Sequence, residues 1–437
     1  MGYNGSENFA PGKTRFGLFP SFSAGWVISA EKFMERQKVF DYLKLRVSWG
    51  RVGSDVGTSA RFMYMPAVWS QNGTYSFGVY NTNGTPIYQM GSLGNDDITW
   101  ETADKQNYGI DMRFLNGRLS VTADYFMEHR KDILITPNST PSIIAMTLQN
   151  MNLGKVDNHG YELSLGWRDQ IDDWSYHVKG NISYSKNKIV YMDEVPNEYS
   201  YMDQTGGSTG RQTGLYRFER LYQYSDFIDD GSGNLKLKPE FPQPYVTVAP
   251  GDAMYADLNK DGIVDSSDRE TTGYSTRPEY MFDLNAGFEY KNFAFSMQWL
   301  GATHVDKMLD KAYRIPFTDS GRRGLLQYFV DDCWTPYNQS GTLPRPATAS
   351  QSWNSENSTL WLRDASYLRL KSVSMSYTLR HSKLRNKLGI NSLVFTLSGY
   401  NLLTFSPLDI LDPETITSGG GVYPMVRLYN LGLTVNF

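Results

Sequence analysis

The sequence predicts an all-β protein, an antiparallel transmembrane β-barrel with long extracellular loops, from three observations. Residues 429–437 alternate apolar and polar side chains and end on an aromatic residue, as the closing strand of an outer-membrane barrel does. Aromatic residues make up 14% of the chain, which suits the aromatic belts at the two surfaces of a membrane. Short and long connections alternate between the predicted strands, which is typical of such barrels.

Segments in which every second side chain is apolar recur along the whole chain, and about eleven strands are expected. By residue number they cover 43–49, 108–114, 119–125, 161–167, 178–184, 282–290, 293–299, 367–380, 393–401 and 425–437, with one more before residue 30. The period places one set on the lipid face: Leu43, Leu45, Val47, Leu431, Leu433 and Val435. It places the other set on the inner face: Lys44, Arg46, Thr434 and Asn436.

The connections between these strands differ in length in a regular order. The short or moderate ones are 30–41, 115–117, 170–173, 291–292 and 381–390. The long ones are 51–103, 130–158, 188–278, 305–363 and 403–423. Counting back from a periplasmic Phe437, every long connection falls on the extracellular side. An odd half-set of strands cannot close an even-numbered barrel, so we expect the missing strands upstream of residue 1.

Composition excludes several classes of protein. The net charge of −4 and the scattered Lys and Arg residues indicate no nucleic-acid partner. Cys333 is the only cysteine, so a disulfide within the chain is impossible. No run of about 18 apolar residues occurs, which excludes transmembrane helices. Residues 1–30 contain no signal peptide pattern, and we therefore expect a truncated chain.

The sharpest local motif predicts a structural calcium site in the connection 188–278. Oxygen ligands occur at positions 1, 3, 5, 7, 9 and 12 of an EF-hand-like loop, with Gly262 at the sharp turn. The ligands are Asp257, Asn259, Asp261, the carbonyl of Ile263, Asp265 and Asp268. Asp268 stands where such loops usually carry a bidentate Glu, which weakens the affinity. The alternative is a turn rich in Asp and Asn that stays free of metal.

Enzyme signatures are weak, and the chain is predicted not to be an enzyme. None of the five His residues lies in an H-E-x-x-H motif, and no G-x-S-x-G elbow surrounds a serine. Four tryptophans fall in the predicted extracellular loops and are candidates for substrate or partner contacts: Trp69, Trp334, Trp353 and Trp361. Packing beneath the loops is the other role open to each of them.

Eight segments, in order, resemble the barrel of SusC/RagA-type TonB-dependent outer-membrane transporters. They are residues 18–26 (LFPSFSAGW), 43–50 (LKLRVSWG), 100–102 (WET), 160–163 (GYEL), 250–252 (PGD), the loop 257–268, 367–371 (YLRLK) and 401–404 (NLLT). Together they extend over nearly the entire chain. The resemblance implies that residues 1–437 are the C-terminal portion of the barrel, about 11 of 22 strands. It also implies that the family's N-terminal plug domain is absent.

The same resemblance implies uptake of oligosaccharides or peptides through the outer membrane of a Gram-negative bacterium. A SusD-like surface lipoprotein would act as a lid, and the TonB complex would act through the missing N-terminal part. Outer-membrane lipid would surround the barrel. Two other classes stay open: a non-transporting binding or adhesion barrel, and an outer-membrane hydrolase.

Overall fold

The computed structural model describes residues 1–57, 61–66, 69–79, 84–91, 93–140, 148–317, 324–346, 352–415 and 423–437. Parts of the predicted long connections 51–103, 130–158, 305–363 and 403–423 lie outside these ranges. The chain forms two compact units. The first comprises Met1–Leu163, Ser185–Pro196 and Gln204–Thr209, and the second comprises Ser164–Tyr184, Asn197–Asp203 and Gly210–Phe437.

Eleven strands form one sheet in which neighbours along the chain are also neighbours in the sheet, in the order β11 to β1. Their bounds are β1 Ser21–Val27, β2 Tyr42–Ser54, β3 Glu101–Phe114, β4 Leu119–Ile135, β5 Met151–Ile171, β6 Trp174–Tyr191, β7 Tyr280–Tyr290, β8 Phe293–Thr303, β9 Tyr367–Leu379, β10 Ser392–Phe405 and β11 Leu428–Asn436. This antiparallel order and strand number confirm the predicted fold class.

Several strands are longer than the sequence pattern predicts. β4 continues to Ile135, and β5 begins at Met151. The charged run at 128–131 interrupts the apolar alternation of β4, yet Lys131 still pairs with Thr102 of β3. Because strand pairing uses backbone groups, it persists where the side-chain pattern fails. The five long connections accordingly shorten to 55–100, 136–150, 192–279, 304–366 and 406–427.

In the first unit, the strand register aligns like side chains across β2, β3 and β4. Leu45 lies opposite Ile110, which lies opposite Ala123. The row beside it runs from Lys44 to Asp111. The apolar and polar faces therefore continue from strand to strand, as the two-residue period requires.

An ion-pair network holds the polar face of these strands together. Arg46 Nε donates to Asp111 at 2.8 Å, and its Nη2 donates to Asp124 at 2.9 Å. The guanidinium crosses over Gly109, where a Cβ would approach its Cζ to 2.6 Å. Glycine at this position lets one arginine reach carboxylates on two further strands.

In the second unit, large apolar side chains form continuous exposed rows. Leu431, Leu397 and Met375 lie side by side on β11, β10 and β9. Leu431 is 85% exposed. A parallel row of Asn430, Ser398 and Ser374 lies on the other face. These rows place the predicted apolar residues of β2 and β11 on one face of each strand and the predicted polar residues on the other.

The connections 192–279 and 304–366 do not form open loops but fold into a packed body within the second unit, named here the loop lobe. Its strands pair as Gln212–Tyr216 with Arg269–Thr272, Phe218–Leu221 with Ala253–Tyr255, Phe227–Asp229 with Leu235–Leu237, Gln243–Pro244 with Ile263–Val264, and Asp306–Met308 with Leu362–Asp364. Its helices are α1 Lys311–Arg314 and α2 Gln327–Asp332, and its 3-10 turns are Ser200–Met202, Tyr224–Asp226, Ser266–Asp268 and Trp353–Ser355.

Two aromatic-rich cores stabilise the loop lobe. Trp353 packs against Tyr255, with ring centroids 4.9 Å apart, and Tyr255 stacks on Tyr216 at 5.0 Å. The second core surrounds Trp361 and Phe329. Each core is fully enclosed by the lobe's own side chains, so the lobe resembles a small globular domain.

Smaller elements complete the described chain. In the first unit, Gly2–Gly5 pairs with Phe16–Phe19, and Trp69–Ser76 pairs with Gly84–Met90. The connection after β1 contains the 3-10 turns Ile28–Ala30 and Lys32–Met34. α3, Ser382–Leu388, lies between β9 and β10. None of the helices in the described ranges is long and apolar enough to cross a bilayer.

Trp361→Ala is predicted to destabilise the loop lobe by about 3–5 kcal/mol, the range for removing a buried large aromatic side chain. Trp361 is fully buried, and its indole Nε1 donates to the carbonyl of Asn354 at 2.9 Å. The free energy of unfolding, measured by urea titration with tryptophan fluorescence, checks this. Tyr337→Ala is the control because Tyr337 is fully exposed, and equal losses for the two variants would contradict the packing described.

Candidate functional site

The four candidate tryptophans occupy two kinds of environment. Trp334, Trp353 and Trp361 are 2%, 5% and 0% exposed, and they pack inside the loop lobe. Each of these indoles donates a hydrogen bond, Trp334 to Gln223 Oε1 and Trp353 to the carbonyl of Ala253. These three rings therefore take the packing role that the sequence left open.

Trp69 differs from the other three tryptophans. It is 68% exposed, at the start of the hairpin Trp69–Ser76 with Gly84–Met90 in the first unit. Its ring is thus available to a ligand or partner. An exposed indole can stack on a sugar or a peptide side chain.

The aspartate loop 257–268 forms the turns expected of a metal-binding loop. The carboxylate of Asp257 accepts hydrogen bonds from the backbone N–H groups of Lys260 at 2.7 Å and Gly262 at 2.9 Å. Lys260 and Gly262 have positive φ values of 63° and 84°. The sharp turn at Gly262 agrees with the role the sequence assigns to that glycine.

The second half of the aspartate loop is closed by Asp268. This buried carboxylate accepts N–H bonds from Leu258 at 2.7 Å and from Asp265 at 2.9 Å, so it ties the two ends of the loop together. Asp261 accepts from the N–H of Ile263 at 2.8 Å. The loop is therefore ordered by its own backbone hydrogen bonds.

Tyr201 reports the negative potential of this loop. Its hydroxyl donates to the carbonyl of Ser267 at 2.7 Å. Burial, followed by the nearby charges of Asp268, Asp257 and Asp261, raises the pKa of Tyr201 to about 12. The donor set of the loop suits Ca²⁺ chemically. Within the described ranges, however, no three Asp, Glu, His or Cys side chains converge as a group that could hold a metal ion.

Polar side chains from several strands line the face of the sheet opposite the apolar rows. In the second unit, Asn181 of β6 donates to Asp283 of β7, and Ser398, Ser374 and Ser296 follow on β10, β9 and β8. In the first unit, Arg51 pairs with Asp104 at 2.7 Å. A face of this kind can remain hydrated and contact polar solutes.

A buried arginine that the sequence analysis missed lies at the start of β9, where the chain enters from a long connection. Arg369 is fully buried and forms ion pairs with Asp412, at 2.5 Å, and with Glu414. Lys307 donates to the carbonyls of Pro413 and Thr415. The segment 406–415 is thereby attached to β9 and the loop lobe. It borders a cavity of about 580 Å³.

The sequence contains one signal for this cluster. Arg369 falls between Leu368 and Leu370, so the two-residue period already predicts it on the polar face. Its carboxylate partners lie more than 40 residues away along the chain, and no local pattern identifies them.

Comparison with known proteins identifies the family. Residues 2–402 match the model described as "TonB dependent receptor-like, beta-barrel". The chain is 28% identical over 464 aligned residues to the TonB-dependent receptor P3 of Formosa agariphila, spanning 99% of this chain and 43% of the relative. It is 24% identical over 455 residues to the TonB-dependent receptor SusC of Bacteroides thetaiotaomicron, spanning 100% and 42%.

Solved structures agree on the fold. The structure of the RagAB peptide transporter superposes with a TM-score of 0.70 at 20% identity, spanning 99% of this chain and 45% of that one. The chain thus spans somewhat less than half the length of the relatives it matches. These relatives are receptors and transporters, which agrees with the prediction that the chain is not an enzyme. The match across residues 2–402 shows that the chain belongs to the TonB-dependent receptor β-barrel family.

Proposed function

We propose that this chain forms part of an outer-membrane TonB-dependent transporter of the SusC/RagA type that imports oligosaccharides or peptides. The carrying observation is the eleven-stranded meander with an exposed apolar face and a polar face. Large apolar residues such as Leu431, Leu433 and Leu397 are exposed in adjacent strands, and water would not tolerate so extended a patch. Lipid covers such a face, and a hydrated lumen suits the other.

The proposal further includes a SusD-like surface lipoprotein and energy coupling through TonB. Support comes from the relatives: one is named SusC, and the RagAB structures are described as a peptide transporter and importer. The loop lobe offers a folded surface on the side of the long connections, where a lipoprotein lid would dock. Trp69 is our candidate for a direct contact with the ligand or the lid.

We also propose that the aspartate loop binds one structural Ca²⁺ ion through Asp257, Asn259, Asp261, Asp265, Asp268 and the carbonyl of Ile263. The oxygen donor set and the preformed turn at Gly262 support this. The negative potential felt by Tyr201 is a further argument, since a cation would relieve it. The ion would brace the loop lobe and take no part in chemistry.

Leu397→Arg in the full-length gene is predicted to impair assembly in the outer membrane, since an arginine on the lipid face costs about 2–4 kcal/mol near the bilayer centre. Ser398→Arg is the matched control because the neighbouring residue lies on the polar face. The amount of folded protein in outer-membrane fractions is the measurement. Equal assembly of both variants would contradict the membrane orientation.

Tagged full-length protein, purified from its native outer membrane in mild detergent, is predicted to bring down a SusD-like lipoprotein in stoichiometric amount. Trp69→Ala should weaken either this association or the uptake of substrate, because it removes an exposed indole. Phe33→Ala, an exposed aromatic residue in the short connection after β1, is the control. Purification without any lipoprotein, together with unchanged uptake by Trp69→Ala, would reject the partner and the contact.

Isothermal titration calorimetry of the folded protein with CaCl2 is predicted to show one site, with a dissociation constant on the order of 10⁻⁴ M, as in extracellular calcium modules. Asp261→Ala combined with Asp265→Ala should abolish the signal. Asp229→Ala combined with Asp230→Ala, in the exposed aspartate turn of another hairpin, should leave it unchanged. Absence of binding at millimolar calcium would remove the proposed metal.

A further inference from the structure

Arg314, the last residue of α1, is a buried cation without an ion-pair partner in the described part of the chain. It is 7% exposed. Its Nη1 donates to the carbonyl of Ser355 at 3.2 Å and to Asn357 Oδ1 at 2.9 Å. Its Nε is buried and has no hydrogen-bond partner. Both acceptors that it does contact are neutral, so its charge is not compensated by direct contact.

A small cavity lies against this guanidinium. Its volume of about 10 Å³ has room for about one water-sized occupant. Arg314 and Arg345 supply the charged part of its wall, and Phe329 and Pro344 belong to the apolar part. None of its eight lining residues is Asp or Glu. Two guanidinium groups therefore border one small space that contains no carboxylate.

The second arginine does not need this space for its own neutralisation. Arg345 donates to both carboxylate oxygens of Asp252, at 2.6 and 3.2 Å. Asn354, which also lines the cavity, donates to the same carboxylate at 2.8 Å. Asp252 is thus fully engaged and lies behind Arg345. The excess positive charge at the cavity is that of Arg314.

More distant carboxylates reduce this excess only in part. Asp310 and Glu356 act on Arg314 through space, yet burial has the larger effect and lowers the pKa of Arg314 below its ordinary value. A guanidinium does not lose its proton in proteins. An isolated buried charge is strongly unfavourable unless a counter-charge approaches it.

We propose that the cavity between Arg314 and Arg345 is a binding site for one chloride ion that stabilises the loop lobe. A monatomic anion fits a space the size of one water molecule, whereas sulfate, phosphate or a carboxylate does not. Chloride would accept the free N–H of Arg314 Nε and supply the missing charge. A water molecule would accept the same N–H but leave the charge uncompensated. The site is independent of the proposed transport activity.

Thermal unfolding of the purified full chain in detergent, compared in NaCl and sodium gluconate at equal ionic strength, tests the proposal. Tryptophan fluorescence follows the lobe, because Trp353 and Trp361 lie in its cores. An ion that binds only the folded lobe raises its unfolding midpoint with the logarithm of the chloride concentration. We expect that rise in the native sequence and none in gluconate.

Arg314→Met should abolish the dependence on chloride, and Arg314→Lys should retain it in weakened form because the charge remains. Arg211→Gln is the matched control: Arg211 also donates to two carbonyls in the lobe, those of Gly273 and Thr271, but does not border the cavity. It should lower the midpoint without removing the chloride response. Equal midpoints of the native protein in chloride and gluconate would overturn the proposal.

A crystal of the native protein grown or soaked in NaBr provides a readout that needs no variant to fold. An anomalous bromide peak within contact distance of Arg314 Nε supports the site. Density without anomalous signal at that position identifies the occupant as water only and overturns the proposal.

Discussion

Uninterrupted pairing between consecutive strands is the constraint on which the rest of this structure depends. Once β2 pairs with β3, the position of Leu45 determines that Ile110 and then Ala123 share its face. A slip of one residue would bring the row of Lys44 to the apolar face, so the register is specified by every buried or lipid-facing row at once. The Arg46 network adds a polar term to the same specification, since it joins β2 to carboxylates on β3 and β4.

The long connections solve a different problem, because more than 80 residues between β6 and β7 must satisfy their own polar groups. The loop lobe does so with short two-stranded pairings and with hydrogen bonds between distant segments. Phe218 N donates to Thr359 Oγ1, 141 positions away, at 2.9 Å. The buried indoles of Trp353 and Trp361 each donate to a carbonyl, which allows large rings to fill the cores without an unpaired N–H group.

The sheet was predictable from sequence because its information is local. The alternation that runs from Tyr429 to Phe437 specifies a strand without reference to any other segment. The turn of the aspartate loop was predictable for the same reason, since Asp257 and Gly262 lie five positions apart and bond directly. The loop lobe was not predictable, because its contacts join segments about 100 residues apart. For that reason the sequence could not distinguish a buried Trp353 from the exposed Trp69.

Buried cations show how the long connections are held in place. Arg369 attaches the segment 406–415 by recruiting Asp412 and Glu414, and Arg345 recruits Asp252 in the same way. Lys307 contacts only carbonyls at close range, and burial lowers its pKa more than Asp412 and Glu414 raise it.

An ammonium in that position can reduce its cost by losing a proton, but a guanidinium cannot. Arg314 is in the same situation as Lys307 without that escape, since it too contacts neutral oxygens and is buried. The remaining ways to compensate it are a carboxylate of the chain or an ion from solution. The cavity wall holds no carboxylate and has room for one ion, so the counter-charge of Arg314 is expected to come from solution.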